Sequence, residues 1–89
     1  MSNIDVKILE RLGELAEGDN IANPNRGLFQ TSEFVKFLST DNVEVTLDEV
    51  IYNVKKLFAH GKVEASNNSI DNIRLSEHGY RCYLQSKYI

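Results

Sequence analysis

The stretch that decides the fold is TLDEVIYNVKKLFAHGKVEASNNSIDNIRLSEHGY, residues 46–80. It opens with a helix start signal, because Thr46 and Glu49 have the T-x-x-E spacing of a capping box. Val45 and Val50 occupy the two apolar positions of the hydrophobic staple that accompanies such a cap. Together these residues predict a helix that begins directly after Thr46.

Apolar side chains recur at helical spacing after this start. They are Leu47, Val50, Ile51, Val54, Leu57 and Phe58. Gly61 follows at the place where a residue with a left-handed backbone commonly ends a helix. We therefore predict an amphipathic helix over residues 47–60 that packs this apolar stripe against the rest of the domain.

The residues after this helix have the pattern of a β-hairpin over 62–75. The turn-forming tetrapeptide Ser66-Asn67-Asn68-Ser69 separates two short segments that contain apolar residues. Those apolar residues are Val63, Ala65, Ile70, Ile73 and Leu75. The helix and hairpin together predict an α+β domain.

Weaker signals place the remaining elements around this unit. Apolar spacing predicts a first helix over 4–17, a second helix over 32–38 and a last helix that begins at Ser76. A short strand is expected at 28–29, and the Gly-, Pro- and Asn-rich segment 18–27 reads as a loop. The predicted order is helix, strand, helix, helix, strand, strand, helix.

Size and composition indicate one globular domain over residues 1–89. Hydrophobic residues make up 42% and charged residues 26%, which are ordinary globular values. There is no apolar run near the roughly 20 residues needed to span a bilayer, and the N-terminus lacks a signal-peptide pattern. Cys82 is the single cysteine, so an intrachain disulfide is excluded. A cytoplasmic protein without a membrane partner is expected.

Charge is distributed unevenly along the chain, although the net charge is only −3. Residues 1–50 hold ten acidic and four basic residues, a balance of −6, whereas residues 51–89 hold three and six, a balance of +3. The basic residues of the second half are Lys55, Lys56, Lys62, Arg74, Arg81 and Lys87. Asymmetry of this kind can mark a binding face.

Two short motifs resemble the winged helix-turn-helix domains of small bacterial, archaeal and phage regulators. One is the end of the central helix with Leu57, Gly61 and Val63, and the other is the closing segment with Leu75, Ser76, Gly79 and Tyr83. The resemblance covers roughly residues 28–86 and implies a small three-helix core with a β-hairpin wing and a C-terminal helix. It also implies duplex DNA as the partner and regulation of transcription as the role.

Candidate DNA contacts follow from this resemblance and from the outward face of helix 47–60. Major-groove contacts are expected from the helix and backbone contacts from the wing. On the helix the candidates are Tyr52, Asn53, Lys55 and Lys56, with Asn53 suited to an adenine edge. On the wing they are Lys62, Arg74 and the tip residues Asn67 and Asn68.

A protein partner is the alternative function of the same fold, as an adaptor or regulatory subunit. Asp48 and Glu49 give the first turn of the outward face a negative charge. This charge is favourable beside the positive end of the helix dipole and unfavourable beside a DNA phosphate. The last helix could also form a homodimer, because it has more apolar and aromatic surface than a terminal helix needs. The residues expected there are Tyr80, Tyr83, Leu84, Tyr88 and Ile89.

Catalytic, metal and cofactor signals are absent from the sequence. His60 and His78 are the only histidines, and no nucleophile, phosphate-loop or metalloprotease motif occurs. His78 and Cys82 stand four residues apart, which is half a metal site on a helix without a second half. We therefore expect neither an enzyme nor a cofactor-binding protein.

Overall fold

Four helices and three strands form the part of the chain that the computed structural model describes, which is residues 4–18, 28–40, 42, 44–66 and 69–88. In chain order they are α1 (Ile4–Gly18), β1 (Phe29–Gln30), α2 (Glu33–Thr40), α3 (Leu47–Ala59), β2 (Val63–Ser66), β3 (Ser69–Leu75) and α4 (Glu77–Tyr88). The order agrees with the prediction, and the bounds differ by one or two residues. Most of the predicted loop 18–27 lies outside the described residues.

The three strands form one antiparallel sheet in the order β1-β3-β2. Phe29 pairs with Ile73 across β1 and β3, and Val63 pairs with Leu75 across β2 and β3. The register shifts once, between Ala65 and Ser66 near the hairpin tip. The fold is thus α+β, with the predicted hairpin as two strands of a three-stranded sheet.

The predicted start and end of α3 are confirmed. The hydroxyl of Thr46 accepts a hydrogen bond from the Glu49 backbone N–H, and the Glu49 carboxylate accepts one from the Thr46 backbone N–H, both at 3.2 Å. At the other end Gly61 has a φ of 71°, a conformation that favours glycine. Local chemistry therefore fixes the length of α3 at both ends.

The core lies between α1, α2, α3 and the sheet. Seven of its side chains are fully buried: Ile8, Leu12, Phe34, Leu38, Val50, Val54 and Ile73. Because α1 and β3 pack against α3 on its buried side, the orientation of α3 about its own axis is fixed. The opposite side of α3 is left at the surface of the described structure.

Helix α4 packs against α1 through Tyr83, which is only 4% exposed. Its ring lies against Gly13, where any Cβ atom would overlap the ring carbons. The sequence predicts Tyr83 as part of a partner interface, and this is wrong because the missing side chain of Gly13 makes room for the ring in the interior. Tyr80 and Leu84 are half-buried. The side chain of Tyr88 and the whole of Ile89 lie outside the described residues.

Candidate nucleic-acid interface

The outward face of α3 is defined by what its other side buries. Val50, Asn53, Val54 and Leu57 are the buried residues of the helix. Because successive residues turn by about 100°, the centre of the opposite face falls on Asp48, Tyr52, Lys55 and Ala59, and all four are exposed. Tyr52 is the most exposed large apolar side chain among the described residues, at 63%.

Asn53 does not lie on this face, although it was a predicted base contact. Its side chain is 5% exposed, and its Nδ2 donates to the backbone carbonyl of Glu49 at 2.7 Å. The helix packs against α1 on this side, so the carboxamide is enclosed and satisfied within α3. The prediction of Asn53 as an adenine contact is therefore wrong.

The predicted cations are in different environments. Lys56 Nζ lies 3.3 Å from Asp5 Oδ2 of α1, and Arg74 Nε lies 3.1 Å from Glu64 Oε2 across the hairpin. Lys55 is exposed and has no ion pair within the described part of the chain. The positive charge of this region is thus partly neutralised by neighbouring carboxylates.

Lys62 and the hairpin tip complete the set of predicted wing contacts. Lys62 is half-buried at the start of the hairpin, where its backbone carbonyl accepts a hydrogen bond from the Ser76 N–H at 3.1 Å. Asn67 and Asn68 lie outside the described residues. The structure therefore brings Lys62 and Arg74 onto the same hairpin and leaves the tip undescribed.

A shallow apolar groove separates α3 from the hairpin. Phe58 is 50% exposed and lines the groove together with Ala65 and Ile70. Leu47 is 45% exposed at the first turn of α3, and it borders a second depression that also contains Ile51 and Ile70. The sequence placed Leu47 and Phe58 in the buried stripe. They lie within about 40° of the centre of that stripe, but about 70° and 90° from the centre of the residues that α3 buries, so the stripe alone offers no signal of their exposure.

Away from α3, the C-terminal ends of α1 and α4 are joined by an ion pair. Lys87 Nζ lies 3.0 Å from Glu17 Oε2 and 5.6 Å from the centre of the Tyr83 ring. Hydrogen bonding to Lys87 lowers the pKa of Glu17, the bond to Glu17 raises the pKa of Lys87, and burial raises the pKa of Tyr83. Glu17 therefore stays negatively charged and Lys87 positively charged over a wider pH range, and their ion pair links α1 to α4.

The same region contains the histidine and cysteine noted in the sequence. Cys82 Sγ and His78 Nε2 are 3.9 Å apart on α4. No group of three or more His, Cys, Asp or Glu side chains suited to a metal ion occurs within the described ranges. None of the helices in these ranges is both long enough and apolar enough to cross a membrane.

Comparisons with known proteins add no relative to this picture. No protein-family model, curated protein or solved structure matches the chain. The geometry of α3 and the hairpin therefore carries the functional argument.

Proposed function

We propose that the chain is a winged-helix protein that binds duplex DNA and regulates transcription. In this proposal α3 lies in the major groove and the hairpin β2–β3 is the wing beside it. The observation that carries it is the exposed face of α3, with Tyr52 and Lys55 at its centre, on a helix that packs beside the hairpin containing Lys62 and Arg74. A helix that the domain leaves uncovered next to a β-ribbon is the arrangement a groove-reading domain requires.

Electrostatics is compatible with this role despite the acidic chain. The ion pairs Lys56–Asp5 and Arg74–Glu64 involve partly exposed side chains. Exposed pairs of this kind contribute about 0–1 kcal/mol, so a phosphate can displace the carboxylate at little cost. Lys55 needs no such exchange. If both ion pairs persist in the complex, only Lys55 and Lys62 contact phosphates. If both open, Lys56 and Arg74 add two more phosphate contacts.

Salt dependence separates these two cases. The slope of log K against log salt is about −0.9 for each phosphate neutralised, giving about −1.8 for two contacts and about −3.6 for four. Between roughly 50 and 200 mM salt, affinity would fall about 12-fold in the first case and about 150-fold in the second. If the ion pairs open on binding, we expect the steeper slope.

The test is fluorescence anisotropy with labelled duplex DNA at several salt concentrations. Lys55→Glu should weaken binding by about tenfold or more and reduce the slope by about 1. The matched control is Arg81→Glu, which makes the same charge change on α4, where Arg81 is 72% exposed. It should change affinity less than about twofold. Equal losses in the two variants, or no binding at about 50 mM salt, would overturn the proposal.

The groove at Phe58 favours a second candidate, a protein partner on the same face. An exposed phenylalanine beside Ala65 and Ile70 is unusual for a surface that contacts only phosphate. The partner that can be tested directly is a second copy of the chain, for which the sequence also predicts an interface on α4. Sedimentation at high micromolar concentration measures it. A dimer that is lost in Leu84→Ser but kept in Phe58→Ser would have its interface on α4. A dimer lost only in Phe58→Ser would have its interface at the groove. A chain that stays monomeric would exclude both dimer interfaces.

A further inference from the structure

We propose that α3 recognises bases mainly through the C5-methyl groups of thymine, with a recognition core of two or three adjacent A·T pairs. This inference rests on the proposed DNA binding and adds the sequence class of the target. Its basis is the set of side chains that the structure leaves available on the first two turns of α3. Those turns matter because recognition helices usually contact base edges with their N-terminal residues.

Hydrogen-bond donors are nearly absent from these two turns. They contain no Arg or Lys, the residues that pair with the O6 and N7 of guanine. Asn53, the only carboxamide on α3, is buried and donates to the Glu49 carbonyl. The carboxylate of Glu49 accepts from the backbone and hydroxyl of Thr46, so it is engaged in the helix cap. Among the described side chains of these two turns, only the Tyr52 hydroxyl remains as a hydrogen-bond donor to a base.

Apolar contact area is present instead. Leu47 is 45% exposed, Tyr52 is 63% exposed, and Ile51 between them is half-buried. Thymine is the only base that presents an apolar group in the major groove, so apolar side chains there discriminate in favour of thymine. Asp48 is also exposed on these turns, and its carboxylate accepts only from the amino groups of adenine or cytosine. The available side chains therefore favour A·T pairs through the methyl group and have no matching feature for guanine.

The spacing of these residues sets the length of the core. Leu47 and Ile51 are one turn apart, a rise of about 6 Å, and Leu47 and Tyr52 differ by about 7.5 Å. Base pairs are stacked about 3.4 Å apart, so Leu47 and Ile51, which lie within about 40° of each other around the helix axis, span about two base-pair steps, whereas Tyr52 points about 140° away from Leu47. The contacted methyl groups thus belong to adjacent or next-adjacent thymines.

The experiment uses the full chain and a random pool of duplex DNA. Sites enriched by binding should share two or three neighbouring A·T pairs. Each core thymine in the best site is then replaced by uracil, which removes only the methyl group and keeps every hydrogen-bonding group of the base edge. We expect affinity to fall about fourfold for each methyl contacted.

A side-chain variant links the effect to α3. Leu47→Ala should bring the ratio of thymine to uracil affinity towards one. The matched control is Val6→Ala on α1, an aliphatic residue with similar exposure at 47%, which should leave the ratio unchanged. Equal affinity for thymine and uracil duplexes, with binding still dependent on Lys55, would overturn methyl recognition and leave DNA binding intact. An absence of binding to any duplex in the pool would overturn both.

Discussion

The first turn of α4 approaches the segment between α3 and β2 at Gly79. A Cβ atom on Gly79 would overlap the carbonyl oxygen of Lys62 and lie 2.8 Å from the carbonyl carbon. Both atoms belong to the backbone, so neither can rotate away as a side chain would. The substitution Gly79→Ala must therefore push α4 away from this segment.

We expect Gly79→Ala to lower the free energy of unfolding by about 2–4 kcal/mol. Displacing α4 breaks the hydrogen bonds from the Ser76 N–H to the Lys62 carbonyl and from the Ser76 hydroxyl to the Gly61 carbonyl. These two bonds contribute about 2 kcal/mol, and strained packing adds a cost of about 1–3 kcal/mol. The better helix propensity of alanine offsets about 1 kcal/mol.

Urea unfolding followed by circular dichroism measures this change. With a denaturant slope of about 2 kcal/mol/M, the midpoint should fall by about 1–2 M. The control is Gly18→Ala at the end of α1, where an added Cβ would meet nothing within 4 Å. It should be neutral or stabilise the protein by up to about 1 kcal/mol. Equal midpoints for the two variants would refute the close approach at Gly79.

Two further predictions concern the contact between α1 and α4. Gly13→Ala should destabilise the protein by about 1–2 kcal/mol, because strain against the Tyr83 ring exceeds the gain in helix propensity; the cost should vanish in a Tyr83→Ala background, measured by the same unfolding assay. Glu17→Gln should make the stability of the protein less sensitive to acid. Hydrogen bonding to Lys87 lowers the pKa of Glu17, so this carboxylate stabilises the folded state above about pH 4.3. That stabilisation is lost as the pH falls through the folded-state pKa. The difference between the urea midpoints at neutral and acidic pH should be smaller for Glu17→Gln than for the control Glu10→Gln, a change at an exposed carboxylate of the same helix. Equal differences in the two variants would contradict this account.

The secondary structure of the central unit was predictable because its signals are local. The capping box joins Thr46 to a residue three positions away, and the stop at Gly61 depends on the conformation of one residue. The hairpin follows from turn-forming residues between two short apolar segments. Each of these interactions forms within a few residues, so its chemistry is readable along the chain.

The candidate interface was predicted less completely, because accessibility depends on contacts between distant elements. A helical wheel places Asn53 at the border of the outward face, but packing against α1 buries it. The same packing turns part of the apolar stripe outwards, which exposes Phe58 and Leu47. The motif that contains Gly79 is visible in the sequence. Why this position needs a glycine is visible only in the fold, where the backbone of Lys62 leaves no room for a Cβ atom.

By itself the sequence determined the order of the elements, the ends of α3 and the residues that could contact a partner. Only the tertiary structure decided which of those residues are accessible and which are already paired. Lys56 meets Asp5, and Tyr83 covers Gly13, across separations of many residues. The physical reason is that periodicity fixes which residues share a face, but packing fixes where that face points and what lies against it.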